Sequence, residues 1–122
     1  NQQEFRFAIR TIYNDKCCIV GDSINTGETI NCEAAHIKPF SSGGNHAANN
    51  GLLLSRDLHW AFDKGCFTID QSYEIKVHNK MKKSPIAKYD GKKVKLPNRD
   101  FWPSIKNITY HNQEIFLKFK EA

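Results

Sequence analysis

EAAHIKPFSSGGNHAANNGLLLSRDLHWAFD, residues 33–63, is the stretch of sequence that decides the fold of this chain. It places His36, Asn50 and His59 at separations of 14 and then 9 residues. Histidine, asparagine and carboxylate side chains are the groups that activate a water, brace a loop and bind a divalent metal beside a phosphate. The pattern therefore predicts hydrolysis of a phosphodiester bond.

The first part of this stretch predicts a hairpin with a long tip. Residues 29–40 are extended in pattern and are stopped by Pro39, while the apolar residues 52–54 predict a second strand. Between them, residues 41–46 have the serine and glycine content that is typical of a flexible loop.

A two-turn helix is predicted over residues 56–63. Ser55 is a good N-cap, Asp57 lies in the first turn, where the helix dipole favours an acid, and Gly65 can end the helix. The predicted unit is therefore strand, loop, strand, helix.

Three further elements are predicted around this unit. Residues 3–14 carry apolar side chains at helical spacing, which predicts an amphipathic helix packed on the domain. Residues 66–70 and 73–77 predict a second hairpin that completes the small sheet, and residues 112–120 predict a closing helix. The predicted fold class is α+β, with residues 1–122 forming a single domain.

Length and composition indicate an ordinary globular protein. The 122 residues are 39% apolar, the apolar runs are short, and the polar residues 1–4 lack the charged-then-apolar order of a signal peptide. The sequence therefore predicts a cytoplasmic protein with no membrane-spanning segment.

The charge distribution favours a polyanionic partner. Eighteen Lys and Arg against thirteen Asp and Glu give a formal charge of +5. Eight lysines lie in residues 76–95, with Asp90 as the one acid among them. Two interpretations stay open, a solvated surface and an edge that contacts phosphates. The second interpretation assigns Lys80, Lys82 and Lys83 to nucleic-acid binding.

The four cysteines are Cys17, Cys18, Cys32 and Cys66. They show neither a CxxC pair nor the spacing of a secreted disulfide scaffold. We expect them to be reduced, and we expect no structural zinc.

His36 is the candidate general base. Hydrolysis of a phosphodiester near neutral pH needs a base that deprotonates water and a cation that absorbs the developing charge. An unperturbed imidazole titrates near pH ~6.5, so a useful fraction is neutral, and a strand fixes the direction of the ring.

His59 and Asp63 are the candidate metal ligands. A separation of four places them on one face of a helix, within reach of one ion. The alternative is that His59 is a buried structural histidine and that Asp63 pairs with Lys64 or with a backbone amide.

Asn50 is the candidate brace of the loop. Its side-chain amide can donate and accept across residues 40–50, which would hold the direction of His36. Asn49 could take this role instead. An Asn-Gly pair is also a plain hairpin signal.

Three motifs of the chain resemble the HNH endonuclease family, which has a ββα-metal core. They are "AAHI" ending at Ile37, "NGLLL" from Asn50, and "HxxFD" from His59. The resemblance implies that His36 is the general base, Asn50 the loop brace and His59 a metal ligand. It also implies one divalent cation, Mg²⁺, Mn²⁺, Ni²⁺ or Zn²⁺, and cleavage to 5′-phosphate and 3′-hydroxyl ends.

One position departs from the family pattern. Many relatives carry Asp or His just before the base as a second metal ligand, and here that position is Ala35. Asp63 lies where some relatives place a further ligand. Glu33 has the same strand parity as Ala35 and a longer side chain. We expect Asp63 to replace the missing ligand, with Glu33 as the alternative.

The resemblance also implies partners. Domains of this branch often form the cleaving part of restriction or defence enzymes, fused to a module that recognises a sequence or a modified base. The polar start and the end just after a helix suggest the cleavage domain of such a longer protein. Double-stranded DNA is the expected substrate, and a homodimer is compatible with the sequence. The alternative function is a non-catalytic nucleic-acid-binding module that retains the fold.

The DNA is expected to reach the site past the loop at Gly43 and Gly44 and beside Lys38. RNA stays open as a substrate, because a nuclease that binds phosphate and metal need not contact the sugar.

Overall fold

The computed structural model describes residues 1–119. Its three α-helices and four β-strands confirm the α+β class. In chain order they are α1 (Gln2–Ile12), β1 (Cys32–His36), β2 (Gly51–Ser55), α2 (Arg56–Asp63), β3 (Phe67–Ile69), β4 (Ile75–Val77) and α3 (Ile105–His111).

The ββα unit is the centre of the molecule. β1 and β2 are antiparallel, with Ala35 opposite Leu52 and His36 opposite Gly51. Ser55 ends β2 and α2 begins at the next residue, so no linker separates strand from helix. α2 has the predicted bounds, although the Ser55 side chain does not cap it. Gly65 follows with a φ of +81°, the left-handed conformation that favours glycine after a helix.

The core lies on both faces of β2. Leu52, Leu53 and Leu54 are all fully buried, although neighbouring side chains of a strand point to opposite faces. α1 covers the strand from one side through Phe5 and Ile9, while α2 packs on the same strand. β2 is therefore an apolar run and not an alternating one.

Gly51 allows α1 to approach β2 closely. A Cβ at this position would lie 2.3 Å from Cδ1 of Ile9 and 2.8 Å from Cζ of Phe5. Both are core side chains, so a larger residue at 51 would push α1 away from the strand.

The predicted second hairpin exists but does not complete the first sheet, so this part of the prediction is wrong. β3 pairs only with β4, in a separate two-stranded sheet. The reason is that the edge of β2 that does not face β1 is already occupied. There the backbone N–H of Cys18 donates to the carbonyl of Leu53 at 2.9 Å. In addition, α2 lies between β2 and β3 in the chain.

The closing helix begins earlier than predicted. α3 starts at Ile105, and Oγ of Ser104 caps it by accepting from the N–H of Asn107 at 3.4 Å. A π-helical turn continues it over Asn112–Phe116. The prediction for residues 112–120 therefore covers only the end of this element, and residue 120 lies outside the described residues.

The N-terminal helix also ends two residues before its predicted limit. Asn14 and Asp15 have φ values of 54° and 57°, a left-handed conformation that no helix continues. Cys17, Cys18, Cys32 and Cys66 are free and buried. Among the described residues, no helix has the length and apolar character to span a bilayer.

Candidate active site

β1 and α2 bring three of the candidate residues to one cleft. His36 ends β1, and His59 and Asp63 lie one turn apart on α2. All three line a cleft of about 440 Å³. The rest of its wall comes from α1, from the loop after β1 and from the π turn, through Gln2, Pro39, Phe40, Ser41 and Ile115.

His59 lies between two carboxylates. Its Nε2 is 3.2 Å from Oδ2 of Asp63, and its Nδ1 is 2.8 Å from Oε1 of Glu33. The hydrogen bond to Asp63 and the one to Glu33 raise the pKa of His59, against the effect of burial. The His59 side chain is 24% exposed, so it is not a fully buried core histidine.

Glu33 lies on the other side of His59 from Asp63. It lines a neighbouring cleft with Arg6 and Arg10 of α1, and its second oxygen is 3.6 Å from Nε of Arg56. The two carboxylates thus approach opposite nitrogens of one imidazole. Ala35 is fully buried and has no group that could replace either of them.

Asn50 spans the loop after β1. Its Nδ2 donates to the carbonyls of Lys38 at 3.0 Å and Asn45 at 2.9 Å, and its Oδ1 accepts from the N–H of Lys38 at 2.9 Å. Asn50 is fully buried, whereas Asn49 is exposed. Between the two asparagines, Asn50 is therefore the one whose side chain ties the loop together. Its part in catalysis stays a prediction.

The loop that the sequence predicts to be flexible has short 3-10 turns at both ends, Phe40–Ser42 and Ala48–Asn50. Gly43 has a left-handed φ of +91°. Gly44 is buried, and a Cβ there would lie 1.9 Å from the carbonyl oxygen of Lys38. This packing explains the glycine at 44 without DNA, so the assignment of Gly44 to DNA binding stays a prediction.

The predicted lysine contacts have different surroundings. The ammonium of Lys38 lies 4.9 Å from the centre of the Tyr110 ring. Lys80 and Lys83 are exposed, while Nζ of Lys82 donates to Asp90 at 2.6 Å. That hydrogen bond is the main cause that lowers the pKa of Asp90.

Residues 81–86 of this lysine-rich segment lie beside α2. Met81, Pro85 and Ile86 share a cleft with Trp60 and Ala61. Because each residue of a helix turns by about 100°, this is a different face of α2 from the one that carries His59 and Asp63. The three lysines near residues 80–83 therefore flank α2 and do not line the cleft of His36.

The sequence interpretation missed two histidines. Nδ1 of His46, in the loop, is 3.0 Å from Nε2 of His36. Burial and the nearby His46 lower the pKa of His36, so His36 is neutral near pH 7. Nothing in the sequence around His46 marks it beyond the residue type itself.

His111 is the second missed histidine. Its Nε2 donates to the carbonyl of Phe62, in the last turn of α2, at 2.9 Å, and the hydroxyl of Thr68 donates to its Nδ1 at 2.7 Å. The ring also stacks on Phe62, with centroids 3.7 Å apart. Buried in this way, His111 binds the end of the helix that carries His59 and Asp63.

A ββα unit with His, Asn and His in these places defines the HNH class of nuclease folds. Residues 17–70, a little under half of the chain, match the family described as HNH endonuclease. The resemblance drawn from the three motifs is therefore confirmed, because this segment matches the HNH endonuclease family. The family match supports a nuclease.

One solved structure extends the likeness in fold beyond this segment. The modification-dependent TagI restriction endonuclease superposes with a TM-score of 0.75 at 18% sequence identity. The alignment covers 92% of this chain and 37% of that protein. Comparison with curated proteins gives no match.

Proposed function

We propose that this domain is a metal-dependent endonuclease that hydrolyses phosphodiester bonds in DNA. The observation that carries the proposal is the cleft in which His36, His59 and Asp63 meet. One of them is a neutral imidazole by virtue of burial, and the other two are a nitrogen and an oxygen donor on one helix face. These are the groups that phosphodiester hydrolysis requires.

The donors in the cleft fit a divalent cation. Nε2 of His59 and the carboxylate of Asp63 would hold it from one side. Within residues 1–119, no group of three or more His, Cys, Asp or Glu side chains is gathered for this purpose. A two-ligand site fits ions that keep several waters and also bind substrate phosphates. When bound, the cation supplies positive charge beside the phosphate and its leaving oxygen.

Glu33 has a different role in this proposal. A neutral imidazole can use only one nitrogen as a ligand, and its other nitrogen then carries a proton. Because Glu33 faces Nδ1 of His59, it would accept that N–H and hold the ring in place. Asp63 would therefore replace the ligand missing at Ala35, and Glu33 would orient His59.

His36 is the residue that accepts the proton of the attacking water. His36 is neutral near pH 7, and it takes a proton from the attacking water. The water oxygen then bonds to phosphorus, and the bond to the 3′ oxygen breaks with its electron pair on that oxygen. The 3′ oxygen takes a proton from solvent, and His36 later returns its proton to solvent. Asn50 keeps the loop closed on Lys38 and thereby maintains the wall of the cleft.

We place the DNA backbone along the loop beside the cleft and the lysines that flank α2. Half-buried Lys38 and exposed Gly43 belong to the loop, and exposed Lys80 and Lys83 extend the positive charge past α2. Lys82 contributes less, because it already binds Asp90. The charge of +5 supports a polyanionic substrate.

We also propose that residues 1–122 act as the single cleavage domain of a longer restriction or defence enzyme. The fold is that of a restriction endonuclease of which this chain spans 37%. In that setting a recognition domain would supply the choice of target. A homodimer would place two such clefts on the two strands of duplex DNA.

The test is cleavage of supercoiled plasmid after metal removal with EDTA. We expect nicking to appear when Mg²⁺ or Mn²⁺ is restored, and we expect His59→Ala to stay inactive under the same conditions. Equal amounts of single-stranded RNA and DNA in the same assay separate the two substrates. Salt-dependent binding to DNA with no cleavage in Mg²⁺, Mn²⁺, Ni²⁺ or Zn²⁺ would contradict the proposal and indicate a binding module.

A metal titration separates the two carboxylates. We expect Asp63→Asn to weaken binding of Mn²⁺ by more than the roughly 10- to 100-fold that loss of a ligand-orienting partner costs, because it removes a ligand. Glu33→Gln keeps a polar group beside His59 and should change the affinity less. The reverse order would assign the ligand to Glu33.

A further inference from the structure

His46 makes the most specific contact in the site that the proposed function does not use. Its Nδ1 is 3.0 Å from Nε2 of His36. It comes from the loop between the two 3-10 turns, ten residues after the candidate base. An imidazole nitrogen in direct contact with the base decides which nitrogen of the base carries its proton.

Aromatic rings hold both imidazoles. Phe5 of α1 stacks on His36, with centroids 4.0 Å apart and planes 9° apart. Phe40 stacks on His46 at 4.5 Å and 4°. Such stacking restricts rotation of each ring, so the contact between the two nitrogens is fixed from both sides.

The backbone on both sides of His46 is also tied down. Oδ1 of Asn45 accepts from the N–H of Ala47 at 3.1 Å, and the carbonyl of Asn45 accepts from Nδ2 of Asn50 at 2.9 Å. The residue that braces the loop thus also fixes the backbone that presents His46.

The second ring nitrogen of His36, Nδ1, is open to solvent. Nδ1 of His36 has no hydrogen-bond partner within residues 1–119, and none of their polar side-chain atoms is both buried and unpartnered. Nδ1 must therefore be accessible to solvent, and the cleft that His36 lines is shared with His59 and Asp63.

Only one proton lies between two neutral imidazole nitrogens, and its position decides the chemistry. If His36 donates from Nε2, its Nδ1 carries a lone pair in the cleft and can accept a proton from water. If His46 donates from Nδ1, the Nδ1 of His36 carries hydrogen and cannot act as a base.

We propose that His46 is a positioning residue that accepts the Nε2–H of His36 and so keeps the Nδ1 lone pair directed into the cleft. The inference rests on the proposed function, in which His36 is the base. When His36 takes the proton of the attacking water at Nδ1, its Nε2–H stays bonded to His46. That bond is then charge-assisted, and it stabilises the imidazolium.

Two substitutions separate hydrogen bonding from packing. His46→Asn keeps a short side chain whose oxygen can stand where Nδ1 of His46 stands, but it loses the ring that stacks on Phe40. His46→Phe keeps a ring for that stacking and has no acceptor. We expect cleavage by the Phe variant to fall by about 10- to 100-fold, as for other partners that orient a functional histidine. The Asn variant should stay within about threefold of the parent protein, because it retains the acceptor.

Nitrogen-15 NMR of histidine-labelled, metal-free protein at pH 8 reads the tautomer directly. We expect the Nε2–H form for His36 in the parent protein and a mixture of tautomers in His46→Phe. An Nδ1–H form of His36 in the parent protein, or full cleavage by the Phe variant, would overturn the proposal. The NMR spectrum can be recorded whether or not the protein cuts DNA. A parent protein that does not cut DNA would refute the proposed function, and the tautomer of His36 would still test the role of His46.

Discussion

Replacing His111 with glutamine should make the stability of the protein less sensitive to acid. Burial lowers the pKa of His111 to about 4, although the carbonyl of Phe62 accepts a hydrogen bond from it. The contacts require the neutral ring, because Nε2 donates to Phe62 while Nδ1 accepts from Thr68. A second proton would have to displace the hydroxyl hydrogen of Thr68.

Acid destabilises the folded protein because the pKa of His111 is lower in the folded state than in the unfolded state. The folded-state pKa is about 4 and the unfolded value is the ordinary 6.5, so the unfolded chain binds the proton more readily. The stability that the neutral ring contributes is complete above pH 6.5 and is lost as the pH falls toward 4. The full difference is about 3 kcal/mol, of which about 2 kcal/mol is lost between pH 8 and pH 5.

Urea unfolding at pH 8 and pH 5 in metal-free buffer measures this loss. We expect the free energy of unfolding of the parent protein to fall by about 2 kcal/mol more than that of His111→Gln over this interval. Ile108→Val is the matched control, since it disturbs the same face of α3 without removing a titrating group. Equal pH dependence of the parent and His111→Gln would refute a buried neutral His111.

Three further substitutions test the loop and the charged edge. Asn50→Ala removes three hydrogen bonds, so calorimetry should show a loss of about 2 to 4 kcal/mol, and a loss below about 1 kcal/mol would contradict the brace. Gly44→Ala adds a Cβ 1.9 Å from a backbone oxygen and should abolish cleavage, whereas Ser42→Ala, at an exposed residue of the same loop, should cleave like the parent. Replacing Lys80 and Lys83 together by alanine should lower the slope of log affinity for DNA against log salt by about two, measured by fluorescence anisotropy, and an unchanged slope would place the DNA elsewhere.

The ββα unit could be predicted because its determinants are local. α2 has the predicted bounds, 56–63, and Gly65 follows its end in a left-handed conformation. His59 and Asp63 are one helical turn apart, so their common face follows from the helix itself. The meeting of this face with His36 follows from a strand, a loop and a strand that lead directly into the helix.

The contacts that the sequence did not reveal join distant parts of the chain. His111 reaches Phe62 across 49 residues, and no local pattern predicts this pair. At the edge of β2, Leu53 accepts a hydrogen bond from Cys18 rather than from the second hairpin, which forms its own sheet. Such pairings are decided by tertiary packing, which a local pattern does not contain.

The position of Glu33 has a similar explanation. Strand parity alone places Glu33 and Ala35 on one face, yet Ala35 is fully buried while Glu33 is exposed and reaches His59. The length of the glutamate side chain allows this, but its direction depends on where α2 lies. The sequence could therefore name both carboxylates and could not assign each to a nitrogen of His59.

The rate at which supercoiled plasmid is nicked by the parent protein and by His36→Ala tests the central claim most directly. Both proteins are compared at pH 8 with the same Mn²⁺ concentration, after their unfolding transitions have been shown to be alike. We expect the first-order rate to fall by about 10² to 10⁴, the range for loss of a general base. Equal rates for the two proteins would contradict the assignment of His36 as the base.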